Sequence, residues 1–132
     1  MSAACEQPYR CPILVVDDDE STRECLKLLL EAHGYSVMTA GNGYEALGIL
    51  HEGTMPGLIL LDLMMPEMDG YQFRQQQVAE PPLAEIPVVL YTCCPDMDLA
   101  AAPVKANAVL QKPIDIDILL DVIATYYHRD AA

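Results

Sequence analysis

Along the chain, short uninterrupted apolar runs alternate with longer segments in which apolar residues return every three or four positions. Ile13–Val16 is the first such run and reads as a strand, halted by four consecutive acids, Asp17, Asp18, Asp19 and Glu20. Ser21 is placed to cap the helix that follows, where Thr22, Cys25, Leu26, Leu29, Leu30 and His33 trace one helical face. Gly34 is its expected stop, and His33 reads as a packing residue at the edge of that face. Tyr35–Ala40 alternates weakly as a second strand, Asn42-Gly43 makes a turn, and Glu45–Leu50 carries Ala46, Leu47 and Leu50 on a short helix. Leu58–Leu61 is the third strand, and Tyr71–Val78, opened by Asp69-Gly70, is a helix that ends before Pro81-Pro82. Val88–Tyr91 and Ala108–Gln111 are the fourth and fifth strands. The last helix runs from about Asp115 to Tyr127 and buries Leu119, Val122, Ile123 and Tyr126. Residues 96–106 have a helical composition but contain Pro103, which predicts a short, shifted or partly unwound fourth helix.

Five successive strand–helix units predict an α/β domain. Strands 1, 3 and 4 are almost wholly apolar, as in a parallel sheet covered by helices on both faces. Right-handed crossovers then give a doubly wound open sheet, in which functional groups collect beyond the carboxyl ends of the strands. Those ends carry Asp17-Asp18-Asp19 after the first strand, Asp62 after the third, Thr92 after the fourth and Lys112 after the fifth.

Length and charge narrow the function classes. At 132 residues the chain suits one domain, and 52% hydrophobic residues suffice for a core. No apolar run approaches the roughly 18 residues of a membrane span, and the first residues lack the basic and apolar regions of a signal peptide. A net charge of −13 disfavours direct nucleic-acid binding. The five cysteines, Cys5, Cys11, Cys25, Cys93 and Cys94, form no Cys-x-x-Cys pair and are expected as reduced thiols of a cytoplasmic protein.

Neighbouring strand ends lie about 5 Å apart. Carboxylates that close destabilise one another unless a cation joins them, and Mg²⁺ suits a site of one or two carboxylates with waters or a phosphate completing its shell. A carboxylate can attack phosphorus to form an acyl phosphate, and a metal with a lysine neutralises the oxygens of the transferring group. Asp62, Mg²⁺, Lys112 and Thr92 make up that set.

Four segments, VVDDDE, LLDLMMPEMDG, PVVLYT and LQKP, resemble in order the four signatures of the response-regulator receiver domain, with 44 positions from Asp18 to Asp62 and 30 from Asp62 to Thr92. The resemblance implies a flavodoxin-like (βα)5 sheet in strand order 2-1-3-4-5. It implies a receiver over residues 11–128, between tails at 1–10 and 129–132. By the same resemblance Asp62 is the phosphoacceptor, Asp18 a direct Mg²⁺ ligand, Asp17 a ligand through water, and the Met64 backbone carbonyl part of the metal site. Thr92 is then the hydroxyl that moves towards the phosphoryl group, Lys112 its ion-pair partner, and Lys112-Pro113 a peptide bond often cis in the family. The donor would be a histidine kinase or histidine phosphotransfer protein, and, with no DNA-binding module after residue 130, either output passes through contact with a downstream protein or the chain is a fragment of a longer one. The chain departs from the family pattern at Val109, where an aromatic is usual, in the short segment between Thr92 and Lys112, and at Cys93, which replaces a smaller residue. Tyr91 is a poor substitute for that aromatic, since it faces away from Thr92. These departures leave an alternative: a phosphorylation-independent interaction module on the same fold.

Overall fold

The β-branched and leucine-rich runs Ile13–Val16 (β1), Val37–Ala40 (β2), Leu58–Asp62 (β3), Val88–Thr92 (β4) and Ala108–Gln111 (β5) form one sheet in the computed structural model. The structure describes residues 11–63, 70–95 and 106–127. The strand order is β2-β1-β3-β4-β5, and all four pairings are parallel. Every residue of β1, β3 and β4 is buried, which explains why they are apolar up to Asp62 and Thr92, the polar residues that end β3 and β4. β5, at one edge, buries only Leu110.

Among the described residues the helices are Glu20–Ala32 (α1), Gly43–His51 (α2), Gly70–Val78 (α3), the single turn Pro81–Ala84 (α4) and Ile116–Tyr126 (α5). Alternate strand residues supply two cores. On one face Val16, Ile59, Leu61 and Leu90 pack against Ala46 and Leu50 of α2 and Phe73 of α3. On the other, Val15, Leu60, Val89 and Tyr91 pack against Leu26 and Leu30 of α1 and Leu119 and Ile123 of α5. The period of two along each strand therefore decides which helices a strand residue meets, and which rim position its neighbour reaches.

Several boundaries differ from the sequence reading. Asp19, not Ser21, caps α1: its carboxylate accepts from the Thr22 amide at 3.3 Å and the Thr22 hydroxyl at 2.5 Å. A carboxylate satisfies an orphan amide and complements the helix dipole, so the last acid of the run takes the position. Cys25 and His33 are exposed, and the buried seam of α1 narrows to Leu26 and Leu30. Gly34 follows the C-cap with φ of 93°, a conformation open to glycine. β2 begins two residues later than expected, at Val37. β3 and β4 each run one residue further, through Asp62 and Thr92. The Pro81-Pro82 pair starts a helical turn, with proline at the first positions, where its missing N–H costs nothing.

Cys11 is disulfide-bonded, which corrects the expectation of reduced thiols throughout; Cys25, Cys93 and Cys94 are free. The odd count and absent Cys-x-x-Cys pair argue against a disulfide framework but do not bear on a single bridge, and thiol chemistry gives no ground for a reducing compartment. Among the described residues no helix is long and apolar enough to cross a membrane. The expected irregular helix over 96–106, including Pro103, lies almost entirely outside the described residues.

Asn42 acts as the N-cap of α2 rather than as a turn residue, accepting from the Glu45 amide at 2.9 Å. Asn42→Ala is expected to cost about 1 kcal/mol. Urea denaturation reads this as a lower midpoint with unchanged slope.

Candidate functional site

β1, β3, β4 and β5 run side by side and end at one rim. Asp62 is the last residue of β3 and pairs across the ladder with Tyr91 of β4. Its parity is that of Leu58 and Leu60, so it lies on the α1–α5 side of the sheet. Asp17, one residue beyond β1, has the parity of Ile13 and Val15 and lies on the same side. Asp17, Asp18 and Asp62 each offer an oxygen, and the three oxygens lie within 4.8 Å of one another. Asp17 and Asp62 are buried, at 1% and 2% exposure, while Asp18 faces solvent.

Lys112 supplies the opposite charge. Its Nζ lies 3.3 Å from Asp62 Oδ2 and 3.8 Å from Asp17 Oδ2. Its amide donates to the Thr92 carbonyl at 2.9 Å, which ties the ends of β4 and β5 together. The Lys112-Pro113 bond is cis. Thr92 is buried and ends β4, with the parity of Val88 and Leu90 and hence of the α2–α3 side. The expected residues thus meet as three carboxylates with one ammonium, and the threonine ends an adjoining strand. Met64 lies outside the described residues.

Two residues that the sequence reading does not assign to the site also reach it. Arg23 of α1 donates through a guanidinium nitrogen to the Asp17 carbonyl at 2.7 Å. Tyr91, fully buried, donates its hydroxyl to Asp17 Oδ2 at 2.5 Å, and its ring centroid lies 4.8 Å from Lys112 Nζ. Burial, followed by the bond to Asp17, pushes the Tyr91 phenol well above its usual range, so it stays a donor. Asp17 Oδ1 accepts from the Asp19 amide at 2.8 Å, so both carboxylate oxygens are held. The cap bond from Thr22 holds Asp19 below the usual carboxylate range. Strand alternation carried the signal for Tyr91: the parity that turns it from Thr92 turns it towards Asp17.

The donor set suits a hard divalent cation. All three side chains are carboxylates, two are buried beside one ammonium, and the third opens to water that can complete a shell. Soft-metal sites use thiolate or imidazole, and among the described residues neither joins this cluster.

A family model described as the response regulator receiver domain matches residues 13–124. The chain is 38% identical over 117 residues to an uncharacterized 14.6 kDa protein in the sodA1 3' region of Leptolyngbya boryana, covering 86% of this chain and 88% of that protein. It is 38% identical over 85 residues to the probable transcriptional regulator ycf27 of Guillardia theta, covering 64% of this chain and 32% of that protein. The chain thus spans about a third of the length of that curated relative. Among solved structures, the signal receiver domain of a signal transduction histidine kinase from Syntrophus aciditrophicus superposes with a TM-score of 0.81 at 35% identity, covering 88% of this chain and 89% of that one. The chemotaxis response regulator CheY4 of Vibrio cholerae gives 0.75 at 28% identity, covering 88% and 98%.

Proposed function

This chain belongs to the response regulator receiver domain family of two-component signalling, and from that premise we propose that Asp62 accepts a phosphoryl group from phosphohistidine with Mg²⁺ bound beside it. The observation that carries the reading is the end of β3: a fully buried strand delivers one carboxylate into a rim shared with two further carboxylates and an ammonium 3.3 Å away. A surface aspartate needs no such setting. Two buried acids near a third are tolerated where a cation and a transferring group offset their repulsion.

In the reaction, an Asp62 oxygen forms a bond to phosphorus as the bond from phosphorus to the donor's histidine nitrogen breaks. The donor is a histidine kinase or histidine phosphotransfer protein. Asp18, Asp62 and, through water, Asp17 would hold Mg²⁺, with the Met64 carbonyl as a further ligand. The ion would supply charge neutralisation to the phosphoryl oxygens. Lys112 pairs with Asp62 before transfer and with a phosphoryl oxygen after it. The buried Thr92 hydroxyl then donates to another of these oxygens, and this rearrangement at the ends of β4 and β5 shifts the population between two conformers read by a downstream protein. The receiver unit is assigned to residues 11–128.

Incubation with Mg²⁺ and a small phosphodonor, followed by intact mass, is expected to show one added phosphoryl group on the native chain and none on Asp62→Asn. No adduct with several donors and a kinase would favour an interaction module. Met64 and Cys94 occupy positions that tune phosphoryl lifetime in the family, and neither carries an acid or amide to orient an attacking water. Autodephosphorylation is therefore expected to be slow. Decay of labelled protein as fast as in a chemotaxis regulator measured alongside would contradict this.

A further inference from the structure

We propose that Tyr91 tunes the cation site, its hydroxyl sharing the negative charge of Asp17 and so setting how tightly the unphosphorylated protein binds Mg²⁺. The inference deepens the proposed function and rests on that reading of the acidic rim as the metal site.

The geometry joins Tyr91 to both charges of the rim at once. Its hydroxyl donates to Asp17 Oδ2 at 2.5 Å, and its ring faces the Lys112 ammonium at 4.8 Å. Register makes this possible: Tyr91 sits opposite Asp62 in the β3–β4 ladder, one strand from the acid and on the same face. A buried tyrosine commonly finds some acceptor, and a core tyrosine satisfying its own hydroxyl would need nothing more than a carbonyl. Here the acceptor is a buried carboxylate of the acidic cluster, and the same side chain carries the cluster's lysine on its ring.

The consequence follows from charge. Asp17, Asp18 and Asp62 repel one another in the absence of a cation, and each donor to Asp17 takes up part of that cost. The Asp19 amide and the Arg23 guanidinium, bonded to the Asp17 carboxylate and carbonyl respectively, hold Asp17 in place without Tyr91. Removing the hydroxyl alone therefore leaves Asp17 positioned but with more unshared negative charge. A divalent cation gains more by binding such a site. The hydroxyl thus weakens Mg²⁺ binding at rest, and a site so balanced stays responsive to the phosphoryl group that adds ligand oxygens.

Tyr91→Phe keeps the ring, its volume and its contact with Lys112 while deleting the donor. Mg²⁺ titration of the unphosphorylated full chain, followed by backbone amide shifts at constant ionic strength, is expected to give a Kd about three- to tenfold lower than that of the native chain. A Kd within about twofold of the native value, or a higher one, overturns the proposal. An independent reading needs no variant: in native protein labelled at the tyrosine Cζ carbon, the Tyr91 resonance is expected to move with the same Mg²⁺ midpoint as the Asp17 and Asp62 amides. A stationary Tyr91 resonance overturns the proposal even if Tyr91→Phe fails to fold. Neither experiment uses a phosphodonor, so absence of a phosphoryl adduct on the native chain would count against Asp62 as acceptor while leaving the Tyr91 result to be read separately.

Discussion

Lys112→Met is expected to destabilise the metal-free protein by about 2 kcal/mol and to recover most of that loss when Mg²⁺ is added. The Lys112 ammonium pairs in the structure with Asp62 and Asp17, at 3.3 and 3.8 Å. Opposite charges at such distances interact by about 4 kcal/mol at the effective dielectric of a protein rim. Removing one partner of a fully buried pair typically costs about 3–5 kcal/mol, because the other charge is left without compensation. The lysine side chain is 28% exposed, so water offsets part of the loss and brings it below that range, to about 2 kcal/mol. For a domain of this size the change lowers Tm by roughly 6–10 °C. A bound divalent cation replaces the missing charge and stabilises by mass action. Thermal melts with and without Mg²⁺ check both halves. An unchanged Tm would mean that the ammonium does not balance the acids, and a loss that Mg²⁺ leaves uncorrected would mean that the acids do not form its site.

A larger loss is expected from Leu60→Ala. Leu60 is fully buried in the middle of β3, two residues before Asp62 on the same face, and packs in the core formed with α1 and α5. The substitution removes apolar contacts and leaves a cavity that β1 and β4, paired on either side, cannot collapse to fill. The cost is about 3 kcal/mol, a large share of the roughly 5–15 kcal/mol that holds such a domain folded. Urea denaturation is expected to show a lower midpoint at unchanged slope. A loss below about 1 kcal/mol would contradict the close packing of this face. Because Asp62 is also held by its ladder pairing with Tyr91, the folded fraction of the variant should still accept phosphoryl at low temperature.

The fold is legible because its central strands β1, β3 and β4 are buried on both faces. Ile13–Val16 and Leu58–Leu61 have no polar residue to confuse with a helix face, and the order of acids, hydroxyl and lysine at successive strand ends points to one rim. Asp62 and Lys112 were accordingly legible as neighbours. Tyr91 was not, because its relation to Asp17 is set by register across β1, β3 and β4, and alternation within one strand gives only half of that information. The cap of α1 is ambiguous in the sequence because Ser21 and Asp19 are both good caps, and the choice rests on where the chain turns after β1: Asp17 accepts the Asp19 amide and leaves the Asp19 carboxylate to cap. The Pro81–Ala84 turn was hidden by prolines that end one helix and start another. A single bridge at Cys11 has no local signature in the sequence at all.

The most direct test is to locate the phosphoryl group. The native chain, phosphorylated with a small phosphodonor and Mg²⁺, is treated with borohydride, which reduces an aspartyl phosphate to homoserine, and its peptides are sequenced by mass spectrometry. Homoserine at position 62, lost when Mg²⁺ is chelated before the donor is added, is the result predicted. Reduction at any other aspartate, or at none while the donor remains active on a known receiver, would contradict Asp62 as the acceptor.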